Sequence, residues 1–129
     1  MSLKLSKTNT PAYDYYSEGD GTDPATQAVT LDGSGGTVTS SAITAYLIAT
    51  LLAYSSISVT PVSEEAGINW QVSLDNINWA ETVSPANMNA TAADQVTTIY
   101  LRYVATNDGT VTPGYKTAAN VRVSGLAAP

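Results

Sequence analysis

The sequence predicts an all-β chain, an antiparallel sandwich of about seven or eight short strands, and three observations carry that expectation. Apolar and polar residues alternate with a period of two in Ile68–Leu74 (INWQVSL) and in Thr97–Ala105 (TTIYLRYVA), the pattern of strands with one face buried. Turn formers punctuate the chain between such runs, as at Asp32-Gly33-Ser34-Gly35-Gly36, Asp75-Asn76 and Asn107-Asp108-Gly109. Two tryptophans, Trp70 and Trp79, stand nine residues apart inside the most regular stretch, residues 57–106.

Taken in order, residues 1–25 differ from the rest. SLKLSK has the alternation of a short edge strand, but TNTPAYDYYSEGDGTDPAT is rich in turn formers, with three tyrosines and four acids. This stretch reads as an extended N-terminal arm ahead of a sandwich domain over residues 26–129. The body opens with Gln27–Leu31, closed by the glycine-rich turn. Ile43–Ala53 (ITAYLIATLLA) has the leucine and alanine of a helix, yet no clear polar face and a β-rich context, and it is read as a buried strand. Ile57 and Val59 point inward from the next strand. Ile68, Trp70, Val72 and Leu74 share one face of the strand after it, and Asp75-Asn76 turns the chain back through Ile77 and Trp79. Residues 84–95 form a polar connection with room for one helical turn. Ile99, Leu101 and Tyr103 then face inward against an outward set of Tyr100, Arg102 and Val104, and Val121 and Val123 face inward from a last strand over Ala119–Val123.

Composition narrows the function. A chain of 129 residues buries roughly two-thirds of its unfolded surface, enough for one core without staples. Cysteine and histidine are both absent, which excludes disulfides, thiolate metal sites and Ser-His-Asp or Cys-His catalysis. Five basic residues face eleven acidic ones, a net charge of −6, so no basic face can be assembled for nucleic acid. The longest apolar run, Ile43–Tyr54, is shorter than the ~20 residues a bilayer span needs, and no membrane association is expected. Two N-terminal lysines without an apolar run behind them do not make an export signal. Only 12% of residues are charged, so the surface is largely hydroxyl and amide.

Gln71-Val-Ser-Leu-Asp-Asn-Ile-Asn-Trp79, followed by Ile99-Tyr-Leu-Arg102, resembles a pattern of immunoglobulin-like β-sandwich modules, in which hydrophobic-Ser-x-Asp-Gly-x-x-Trp precedes Ile-Tyr-hydrophobic-Arg. Such modules occur in phage structural proteins, as capsid decoration and tail-associated domains, and in bacterial surface proteins. Asn76 stands where glycine is usual, and both tolerate the left-handed turn conformation. The likeness covers about residues 57–106. It implies an immunoglobulin-like sandwich, gives Trp70 the part of the core tryptophan on a central strand, and carries no activity. The usual inter-sheet disulfide and a strict tyrosine corner are both missing.

Candidate sites follow from residue type. Tyr13, Tyr15 and Tyr16, with Lys4 and Lys7, form the candidate partner interface, because amphipathic rings supply contact area at low entropic cost; the alternative is that they cover the domain's own edge. Glu18, Asp20 and Asp23 offer hard oxygen ligands without calcium-loop spacing, and no metal or cofactor is expected. Trp79, Tyr100 and Tyr115 could line a glycan-binding face. Asn89-Ala-Thr91 has the form of a glycosylation sequon. Lys4 or Lys7 with Asn120, beside Asp94 or Glu81, would be the makings of an isopeptide crosslink. Glu64 and Glu65 are adjacent on an extended chain and point apart, a poor acid–base pair.

The resemblance and composition together lead to a non-enzymatic expectation. The protein is expected on the capsid surface of a virion, a decoration or head-associated protein that binds major capsid or other virion subunits, forms homo-oligomers and stabilises the shell through many modest contacts. Deleting residues 2–24 would then abolish particle binding and leave the sandwich folded. Two alternatives are a surface or tail adhesion module binding glycan or host protein, and a filament subunit that adds its N-terminal segment to the next copy's sheet.

Overall fold

A computed structural model describes residues 2–16, 25–26, 30–31, 34–62, 67–107, 114–115 and 118–128. Within these the chain is all-β, with no helix and with antiparallel pairing throughout. The strands are β1 (Ser2–Ser6), β2 (Ala25–Thr26), β3 (Thr30–Leu31), β4 (Thr37–Thr39), β5 (Ile43–Thr50), β6 (Ala53–Val62), β7 (Ile68–Ser73), β8 (Met88–Asn89), β9 (Gln95–Thr106), β10 (Gly114–Tyr115) and β11 (Ala118–Ala128). One sheet runs β1–β5–β9–β7, with β4 continuing the β5 side of β9; a second runs β2–β11–β6–β8, and β3 pairs with β10.

The two sheets close on one core in a sandwich-like arrangement. Leu5, Ala45, Leu47, Ile99, Leu101, Tyr103, Trp70 and Val72 come from the first sheet, and Tyr54, Ile57, Val59 and Val121 from the second. The apolar alternation of β7 and β9 is therefore satisfied as expected, and Val123 packs on the rim of the same cluster. Trp70 stands directly opposite Tyr103, with ring centroids 4.9 Å apart and tilted, a geometry that adds about 0.5–1.5 kcal/mol beyond area burial.

Four expectations need correction. Leu74 is not core: β7 ends at Ser73, the chain turns outward, and Leu74 is 42% exposed. Trp70 is buried but not central, because β7 lies outside β9 in its sheet. The apolar run at 43–53 is a strand only to Thr50; Leu51, at φ 69°, turns a corner, and Ala53 begins a strand in the other sheet. Residues 84–95 hold no helical turn but β8, paired with Ala53 and Tyr54.

Two local devices keep the sheets regular. β4 and β5 follow one edge of β9 and are broken between Thr39 and Ile43. At that break the Ser40 N–H donates to the Tyr103 carbonyl (2.8 Å), and the Tyr103 N–H donates to Ser40 Oγ (2.9 Å), so a hydroxyl replaces a ladder carbonyl. On the other sheet, Ser56 (φ 51°) and Ile57 together oppose Gly125, a bulge that shifts the β6–β11 register. A Cβ at Gly125 would lie 2.9 Å from Leu3 Cδ2 and 3.4 Å from Ile57, so the bare backbone lets β1 cross β11 closely.

Candidate functional site

The expected partner residues Lys4, Lys7, Tyr13, Tyr15 and Tyr16 are brought together, on the sandwich's own edge. β1 pairs with β5 along its whole length and Leu5 is 1% exposed, so the first part of the expected arm is an edge strand of the body. After it the chain folds back. The Lys7 N–H donates to the Asp14 carbonyl (2.7 Å) and the Tyr16 N–H to the Leu5 carbonyl (2.9 Å), aligning Tyr15 with Ser6. Buried Ser6 holds the turn, its Oγ donating to the Thr8 carbonyl and accepting from the Thr8 N–H.

Side chains complete the cluster. The Tyr13 and Tyr15 rings lie 5.8 Å apart, Lys4 Nζ sits 5.5 Å from the Tyr15 ring and Lys7 Nζ 5.3 Å from that of Tyr16. Tyr13 OH donates to Asp94 Oδ2 at 2.8 Å, and this bond first, with desolvation and the Asp94 charge behind it, raises the phenol pKa. Asp94 immediately precedes β9, two strands away from β1, so Tyr13 reaches across the outward face. Ile48 occupies that face between Lys4 and Val96, yet is fully buried and stands apart from the inner cluster. All three rings are half-buried, and Tyr16 packs against the inner cluster.

A second cluster lies beyond β7. Gln71 and Arg102 are paired across β7 and β9; Arg102 Nε donates to Gln71 Oε1 (2.9 Å), and its guanidinium lies 4.3 Å from the Trp79 ring centre. Beside Trp79 is an open cleft of about 250 Å³ lined by Leu74, Asp75, Asn78, Trp79, Ala80 and Val83. Asp75 builds the loop: its Oδ1 accepts from the Ile77 and Asn78 N–H groups and from Ser73 Oγ, and its Oδ2 from Asn78 Nδ2. These bonds hold the Asp75 carboxyl well below the usual carboxylate range, those from the Asn78 and Ile77 backbone most strongly. Asn76 takes the left-handed conformation at φ 60°, where glycine is usual in the resembled motif. The loop is longer than a two-residue hairpin; its closing pair is Val72 and Ala80.

Other candidates are dispersed. Tyr100 is outward-facing on β9, but the side chains of Tyr115 and Asn120 lie outside the described residues, as do Glu18, Asp20, Asp23, Glu64 and Glu65. Lys4 is on the first sheet, and the backbone of Asn120 is on the second, opposite Val62. Asn89 turns its Oδ1 back on the Thr91 N–H and hydroxyl. No group of three acidic, histidine or cysteine side chains able to hold a metal occurs among the described residues.

One feature had only a faint sequence signal. The last strand was expected over 119–123 and runs to Ala128, because Gly125 and three small residues disguise it as a poor strand former. β11 pairs with β6 along 120–128, and among the described residues β2 pairs with Ala118 and Ala119. No family model, curated protein or solved structure matches the chain.

Proposed function

We propose that this protein is a virion structural protein, an immunoglobulin-like β-sandwich that decorates the capsid surface and binds shell subunits. The observation that carries the reading is the gathering of Tyr13, Tyr15, Tyr16, Lys4 and Lys7 on one sheet edge with every ring partly exposed. Aromatic and cationic side chains already ordered by their own fold lose little entropy when a partner covers them. Each copy then needs only a modest contact, because identical contacts repeat over a symmetric shell. The immunoglobulin-like assignment is supported by strand order: β5, β6, β7, β9 and β11 fall in the first, second, first, first and second sheet, with β5 beside β9 and β6 beside β11.

The test is association with assembled particles. The variant Tyr13→Ala/Tyr15→Ala should keep the far-ultraviolet spectrum of the sandwich and lose co-sedimentation with particles; undiminished binding overturns this reading. A second reading, adhesion to glycan, is favoured by the Trp79 ring bordering a cleft with Asp75 and Asn78. It requires carbohydrate binding that Trp79→Ala removes.

A further inference from the structure

Two phenols of the tyrosine cluster are placed for chemistry as well as for contact. Tyr13 and Tyr15 stand two residues apart, and their ring centroids meet at 5.8 Å with a tilt of 44°. Both rings keep part of their surface open to solvent. Tyr13 OH donates to Asp94 Oδ2 at 2.8 Å, within the roughly 2.6–3.2 Å that a proton acceptor needs. That bond raises the phenol pKa, so the ring is neutral in ordinary buffers and gives up an electron most readily when its proton leaves with it. A carboxylate is in place to take that proton.

Buried tyrosines of the core contrast with this pair. Tyr54 is 6% exposed and donates to the Thr50 carbonyl, which is a poor base, and Tyr103 has no exposed surface. The chain has no cysteine, whose thiol would be oxidised ahead of a phenol, and Met88 is 4% exposed. An oxidant arriving from solution therefore meets Tyr13 and Tyr15 with their rings already side by side.

We infer that Tyr13 and Tyr15 form an oxidative crosslinking site, in which a one-electron oxidant takes the electrons and Asp94 accepts the Tyr13 proton. The inference goes beyond the particle-binding reading and does not depend on it. One electron passes from Tyr13 to the oxidant and the phenol proton to Asp94 Oδ2, which leaves a neutral phenoxyl radical. A second equivalent of oxidant takes an electron from Tyr15, whose proton goes to solvent. The two radicals join through ring carbons ortho to their hydroxyls. Each of those carbons then loses its hydrogen to solvent as the ring regains aromaticity, and each oxygen takes a proton back. In sum, two phenols and two oxidant equivalents give one carbon–carbon bond, two reduced equivalents and two protons. The new bond fixes two rings of the proposed contact surface to each other.

The test exposes the dilute full chain to ruthenium(III) tris-bipyridine, generated by light with persulfate, and follows dityrosine fluorescence and mass. The wild type should give a single chain lighter by two hydrogens, and mass spectrometry of its digest should place the link between Tyr13 and Tyr15. Tyr13→Phe and Tyr15→Phe should each abolish that link. Asp94→Asn keeps a hydrogen-bond acceptor at the position but removes the base. It should slow the crosslink severalfold with an unchanged far-ultraviolet spectrum. A link between any other tyrosines, no link at all, or a Tyr13–Tyr15 link that forms equally fast in Asp94→Asn overturns the inference. Particle co-sedimentation is scored separately: a chain that crosslinks and ignores particles defeats the virion reading alone, whereas one that binds particles without crosslinking defeats this inference alone.

Discussion

At the scale of single residues, short polar side chains perform backbone work. Ser40 Oγ accepts from the N–H of Tyr103, a residue with no exposed surface, at the break between β4 and β5. Replacing Ser40 with alanine leaves a buried donor without its partner, a loss of about 1–3 kcal/mol, which urea denaturation would read as a lower midpoint at unchanged slope. Asp75 organises its loop in the same manner, but through an ionised group. Its folded pKa is depressed, so its stabilising contribution is present above the unfolded carboxylate pKa of about 3.9 and is lost as pH falls through the folded value. Asp75→Asn should therefore melt lower than wild type at pH 7, and thermal scans in increasingly acid buffer should show the gap closing. Of these two roles, Asp75 was legible, because Ser-Leu-Asp-Asn is a turn signal in sequence. Ser40 was not, since nothing local separates a serine bonding across strands from one in a loop.

At the scale of elements, β1 and the segment behind it change what the N-terminus means. SLKLS has the alternation of an edge strand, and that much was readable. That the following tyrosines fold back on the same edge was one of two sequence readings, and the long-range bond from Tyr13 to Asp94 is the contact that local pattern could not supply. Leu5 now counts as core, so Leu5→Ala should cost about 2–5 kcal/mol in chemical denaturation. For the same reason, removing residues 2–24 strips the first sheet of a strand and should destabilise the sandwich, which makes surface substitution the cleaner probe of binding. Tyr13→Phe should speed hydrogen exchange at the Lys7 and Tyr16 amides severalfold with little effect on β9. The Tyr13 contribution belongs to the neutral phenol: its pKa is raised, so the bond persists below about pH 10 and is lost as pH rises through the folded value.

At the scale of the whole molecule, outward faces are built from hydroxyls and amides rather than charge. Ser58 bonds Ser124 and Thr60 bonds Thr82 on the second sheet, and Gln71 meets Arg102 on the first. Association through such faces should be nearly insensitive to salt, and with Lys4 and Lys7 the two cations of the tyrosine cluster, particle binding should weaken only modestly up to about 0.5 M salt, where screening acts beyond roughly 4–5 Å. Co-sedimentation across a salt series checks this, and a steep loss would indicate contacts carried by ion pairs. The sequence by itself determined the class of the fold, the two strands read at 68–74 and 97–105 to within two residues, and their inward set apart from Leu74, because a period of two together with burial leaves one solution for those residues. Tertiary structure decided that Leu74 turns outward, that Ile43–Ala53 divides at Leu51 between two sheets, and that the tyrosine segment folds back on the edge of β1. Those outcomes depend on which distant backbone groups meet, and pairing across the chain leaves no trace in the order of neighbouring residues.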